Sequence, residues 1–168
     1  LDHWGKPVFT TVTAPVAQLG YKAMVIFNVF IGLLTIFAGY LLSKRSNYRW
    51  AWLSIIFVGF APVYFRMMPS AMTEILFSLL LLVPILLIHK GKISWAFAIA
   101  SFLPFVRSEG VILLPIFFLY GLLNREIRKI PWLALGSAVL SVVGGFYYDD
   151  ILWLINQNPY TGAEDIYG

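Results

Sequence analysis

Arg107-Ser108-Glu109-Gly110 sets two opposite charges between apolar runs, and how these four residues are read decides the fold. Residues 93–106 precede them and residues 111–123 follow, with no Asp, Glu, Lys, Arg or His in either run. A charged pair between hydrocarbon-grade segments is costly unless it lies at a membrane surface, faces a wet cavity or is paired. Two readings stand. In one, the pair marks a turn between two membrane helices, with Glu109 near the next helix start and Gly110 easing the corner. In the other, it forms a polar site at the mouth of a membrane-embedded cavity.

Composition supplies the setting. The chain is 60% hydrophobic and 12% charged, with mean hydropathy +0.82, whereas soluble domains are roughly a quarter charged. A soluble domain of 168 residues has too little interior for so much apolar surface. The expectation is an integral membrane protein. Its fold class is all-α, a polytopic bundle of about six transmembrane or re-entrant helices, with residues 1–168 forming part of one membrane domain. The six Trp and nine Tyr suit interfacial belts. Without Cys, disulfides say nothing of the compartment. The net charge of +4 does not point to nucleic acid, because the cations fall in short clusters between apolar runs.

Residues 1–22 are too polar, and too broken by Pro7, Pro15 and Gly20, to span. They read as a loop with Trp4 as anchor and a short surface helix over 9–19. His3 has no second His nearby and only Asp2 beside it, so it reads first as a loop residue. Residues 23–42 give the clearest span, interrupted only by Asn28 and Thr35, about 30 Å of helix. Residues 50–64 form a shorter run, broken by Arg66-Met67-Met68-Pro69-Ser70. Residues 71–88 form another, with Glu74 in the first turn and Ser70 or Thr73 as N-cap. The two runs around Arg107 are each too short for an independent crossing and read as a hairpin or a re-entrant pair. Residues 131–146 make the last span, with Gly144-Gly145 allowing close packing. Residues 148–168 read as a polar loop. The first residue is Leu and the last residues lie in that loop, so the chain reads as an internal piece of a longer one.

Orientation follows from the cations. Lys44, Arg45, Arg49, Lys90, Lys92, Arg125, Arg128 and Lys129 gather on one side, and Lys6, Lys22, Arg66 and Arg107 on the other. The eight-residue side is then cytoplasmic. Loops 1–22, 65–72 and 148–168, with Arg107 and Glu109, are extracytoplasmic, and nearly all the acids collect there. No phosphate-cradling glycine loop, Gly-x-Ser-x-Gly or paired metal-ligand spacing occurs in the sequence.

Three stretches carry a resemblance. His3-Trp4-Gly5-Lys6-Pro7-Val8 resembles the polar-Lys-Pro-Pro-Leu stretch that closes the first large loop of polyprenyl-phosphate-sugar-dependent (GT-C type) glycosyltransferases. This family includes the protein mannosyltransferases and the aminoarabinose transferases. Met72-Thr73-Glu74 before Ile75-Leu76-Phe77 is similar to the family's short second loop, where an acid opens the next helix. Phe105-Val106-Arg107-Ser108-Glu109-Gly110, with the helix after it, resembles the family's Arg-Pro-Glu-Gly turn. Val8 departs from the second Pro, and Ser108 from the Pro after the Arg.

The resemblance implies an enzyme of a bacterial inner membrane. It would transfer a hexosyl or pentosyl group from a polyprenyl-phosphate donor to an acceptor hydroxyl at the extracytoplasmic face. A carboxylate of the first loop would act as general base and cations would hold the leaving phosphate. Asp2 and Glu74 are the catalytic candidates, with the usual base expected upstream of Leu1. His3, Lys6, Arg66, Arg107 and Glu109 are the substrate-binding candidates. The implied partners are membrane lipid and the polyprenyl-phosphate sugar. No cofactor is implied, and a divalent metal is left open. One alternative is a transporter or flippase segment with Arg107 and Glu109 as a substrate or proton-relay pair at a broken helix. Another is a structural membrane subunit whose charges only fix topology. A transporter would show a second copy of this span pattern along the chain, and the enzyme an acidic pair just upstream.

Overall fold

The computed structural model describes residues 6–153, and Asp2, His3 and most of the expected 148–168 loop lie outside them. Eight α-helices follow one another within the described residues: α1 (Pro7–Ala17), α2 (Tyr21–Arg45), α3 (Leu53–Gly59), α4 (Pro62–Met67), α5 (Thr73–His89), α6 (Ile93–Ala100), α7 (Gly110–Leu123) and α8 (Leu135–Tyr148). Short 3-10 turns cover Met68–Ser70, Leu103–Phe105 and Ile127–Ala134. Among the described residues there is no strand, so the all-α expectation holds there.

Among the described residues two stretches are long and apolar enough to cross a membrane, Tyr21–Arg45 and Ile127–Phe146. A third arises if Leu53–Gly59 and Pro62–Ser70, bent 58° apart, form one broken span. The expected six or so counted re-entrant helices together with spans, and the chain's own breakers keep the remaining apolar helices short. Pro62 forces Ala61 out of helical geometry (ψ 121°) and splits α3 from α4. Ala71 takes a left-handed conformation (φ +53°), so α5 has to start afresh at Thr73. The corner over 101–109 likewise separates α6 from α7. The helices α1, α5, Ile93–Phe105 and α7 are apolar but shorter, 10–17 residues.

The polar interruptions of α2 have a packing role. Asn28, Gly32 and Thr35 recur at helical spacing and are buried. Asn28 Nδ2 donates to the Met68 carbonyl at 3.0 Å, and Tyr64 OH donates to the Gly32 carbonyl at 3.2 Å. A Cβ at Gly32 would press on the Met68 side chain. Thr35 Oγ1 returns to the Ile31 carbonyl at 2.9 Å, which satisfies it within the helix. This strip docks α2 against the break between α4 and α5. At the far end, Arg45 Nε donates to the His89 carbonyl at 3.0 Å and caps α5. With one contact at each end, α2 and α5 run side by side in the same direction.

Two apolar clusters hold the rest. Ile31, Ile36, Met68, Ile75, Leu76 and Val106 form the first, and Val8 and Phe9 of α1 pack against it. Ile93, Ala96, Phe97, Ala100, Leu103 and Phe117 form the second, between α5, α6 and α7. Elsewhere apolar side chains point outward. On α7 alone Val111, Ile112, Ile116, Leu119 and Leu123 are exposed, far more than isolated surface hydrophobes require. The same holds for Phe30, Leu33 and Phe37 of α2.

Candidate functional site

Three chain segments meet where α5 and α7 begin. Proline opens α1, its missing N–H costing nothing at the first helical position, and Lys6 stands just before it. Glu74 lies in the first turn of α5. Arg107, Ser108 and Glu109 form the corner that enters α7, with Glu109 immediately before its first residue. Lys6 Nζ donates to Ser108 Oγ at 2.7 Å, a contact between residues 102 apart in sequence. Arg107 is the hub. Its Nη2 and Nε donate to the two oxygens of Glu109 at 2.7 and 3.2 Å, and its Nη1 pairs with Glu74 Oε1.

The geometry matches the planar fork of a guanidinium, which serves two carboxylates at once. The Arg107 side chain is 26% exposed and that of Glu109 60%, so the pair opens to solvent on the Glu109 side. Hydrogen bonding from Arg107, with help from its own backbone N–H and nearby Lys6, holds the Glu109 carboxyl down at about 2. Hydrogen bonds to Glu109, then to Glu74, raise Arg107 beyond its ordinary value against the cost of burial. Glu74 Oε2 is buried and has no hydrogen-bond partner among the described residues. It is a carboxylate oxygen held next to a cation and left with unused lone pairs.

Of the substrate-binding candidates in the described residues, Lys6, Arg107 and Glu109 come together, with Glu74 beside them. Arg66 does not join them: it is exposed near the end of α4 and makes no hydrogen bond or ion pair among the described residues. Ser108 is the residue that sequence reasoning passed over, having been noted only as a departure from Pro. A hydroxyl there accepts the Lys6 hydrogen bond, which a Pro ring cannot do. Among the described residues no three His, Cys, Asp or Glu side chains gather as a metal site would require.

One local expectation changes. Neither Ser70 nor Thr73 caps α5: Ser70 Oγ donates to the Met67 carbonyl at 2.6 Å, and Met72 holds the cap position without a side-chain bond. Gly110 eases the corner through close approach, since a Cβ there would overlap the Leu103 carbonyl and the Pro104 nitrogen. Gly144 lies in a tight contact with the Trp153 indole. Comparison with known proteins adds no identity: no family model, no curated protein and no solved structure matches the chain.

Proposed function

We propose that the chain is a membrane-embedded segment of a glycosyltransferase that uses a polyprenyl-phosphate sugar. The observation that carries the reading is the meeting of Lys6, Glu74 and Arg107-Ser108-Glu109 at one end of the helices. These residues come from the three stretches that resemble the family, and nothing in their sequence separation requires them to meet. The long apolar helices and outward hydrophobes support a polytopic bundle, with this end extracytoplasmic by the distribution of cations.

In this reading Lys6 and Arg107 hold the phosphate, with Arg107 turning part of its fork from the exposed Glu109 to the donor. The acceptor hydroxyl gives its proton to a carboxylate, a role this reading gives to Glu74, whose buried Oε2 is uncovered as Arg107 turns to the donor. The acceptor oxygen bonds to the anomeric carbon as the carbon–oxygen bond to phosphate breaks. Polyprenyl phosphate leaves with the electron pair, its charge met by the two cations.

The test is sugar transfer by the full-length protein in proteoliposomes. Lys6→Ala and Arg107→Lys should each raise the concentration of lipid donor needed, by roughly tenfold. Glu74→Gln should lower turnover with folded protein retained, since loss of a first-turn charge costs a helix only about 0.3–1 kcal/mol. Unchanged transfer in all three variants would rule the site out.

A further inference from the structure

At the opposite end of α5 from the Arg107 cluster, the corner joining α2 to α3 forms an open groove of about 380 Å³. Ser43, Tyr48 and Arg49 line its polar side, and Trp50, Phe57 and Val58 its apolar side. We infer that this groove seats the headgroup of one anionic phospholipid, with the phosphate on Arg49 and an acyl chain running along Phe57. The inference rests on the membrane reading above and not on sugar transfer.

Charge is the first argument. Lys44, Arg45 and Arg49 crowd this corner, and none makes an ion pair with a carboxylate among the described residues. Arg45 is spent on the His89 carbonyl, and Lys44 sits 5.9 Å from the centre of the Tyr40 ring. Arg49 lies over the Trp50 ring at 5.6 Å, which orients its guanidinium while leaving its hydrogen-bond donors unused. Glu126, the acid next to the Arg125–Lys129 cations, is itself held by Lys129 at 2.8 Å among the described residues. An anion is therefore the missing counterpart, and a guanidinium with free donors suits phosphate.

The lining is the second argument. A free phosphate has no use for Trp50, Phe57 and Val58, whereas a phospholipid carries its phosphate on an apolar body. Ile55, Ile56 and Phe57 of α3 continue the apolar lining outward, with Phe57 72% exposed. The volume suits a headgroup and glycerol, within the usual size range of ligand sites. Trp50 and Trp52, edge to face at 6.3 Å, stand where an aromatic belt meets the headgroup layer.

Two measurements test this. Full-length protein is first floated with phosphatidylcholine vesicles, and failure to float would remove the membrane reading itself. Delipidated protein in detergent is then titrated with phosphatidylglycerol and followed by native mass spectrometry. One tightly held phosphatidylglycerol is expected, about tenfold weaker in Arg49→Gln. It should be unchanged in Arg128→Gln, which loses the same charge away from the groove. Arg49→Lys keeps the charge and should fall between, so a misfolded Gln variant would not decide the matter. Equal weakening by the Arg49 and Arg128 changes would mean diffuse attraction and overturn the site. So would equal binding of phosphatidylcholine, or inorganic phosphate displacing the lipid.

Discussion

Arg107 joins two helix entries and, in the proposed function, also holds the donor phosphate. Its fork joins Glu74 of α5 to Glu109 at the entry to α7, so Arg107→Ala removes the proposed phosphate ligand and leaves two carboxylates side by side. Paired with Glu109→Ala, it forms a cycle that separates the roles. The double variant still leaves Glu74 without its cation, so folded protein is recovered only in part in either case. A purely structural pair predicts that transfer per folded protein recovers with it, whereas a phosphate site predicts that it stays low, and full transfer would end that assignment. The acid side of the pair is also defined. The folded-state value of Glu109 is depressed to about 2 from an ordinary 4.5. Its contribution is therefore fully present above the ordinary value and is lost as pH falls through about 2. The coupling between Arg107 and Glu109 measured in folded protein should be the same at pH 5 and pH 8. A fall between those values would contradict the depressed carboxyl. The charge pair was legible from sequence because charges between apolar runs stand out. The Lys6–Ser108 bond was not, because no local pattern links residues so far apart.

At the scale of elements, the glycine that opens α7 is the sensitive point. A methyl group at 110 would meet the Leu103 carbonyl and the Pro104 nitrogen, backbone atoms that no rotamer can move aside. Gly110→Ala should push the corner outward and destabilise the protein by roughly 1–3 kcal/mol. It should also lower transfer, because Arg107 and Glu109 sit on that corner. A variant with unchanged thermal midpoint and transfer would show that the corner is looser than described. Helix positions themselves were readable: the run at 23–42 lies inside α2, and the run at 71–88 nearly coincides with α5. What the runs could not show was which of them break. Hydropathy is blind to the left-handed Ala71 and to the bend at Pro62, where one apolar run becomes two short helices. Asn28 and Thr35 looked like interruptions of a span and are instead its buried contact face.

Across the whole molecule, the cations separate into two ends. Arg45 meets the end of α5 at His89, while Arg107 meets its start at Glu74. Single cysteines at Ser46, Lys92 and Arg128 should stay shielded from an impermeant thiol reagent in intact cells, and one at Ser70 should react. Labelling of the first group from outside would invert or abolish the proposed orientation. That Arg45 and Arg107 stand at opposite ends of α5 agrees with a sequence in which positive charges cluster at the ends of apolar runs. Which cations hold a partner was not legible there, since that depends on how α2 and α5 lie together.

The bond between Lys6 and Ser108 also bears on synthesis. Chains are made from the first residue onward, so Lys6 and Glu74 leave the ribosome long before Arg107 does. Until residue 107 emerges, Glu74 stands at the head of an apolar helix without its cation, and Lys6 without its hydroxyl. The site therefore closes late in assembly, after α2 and α5 are already made. A nascent chain arrested before the corner would hold an unpaired acid at the head of α5.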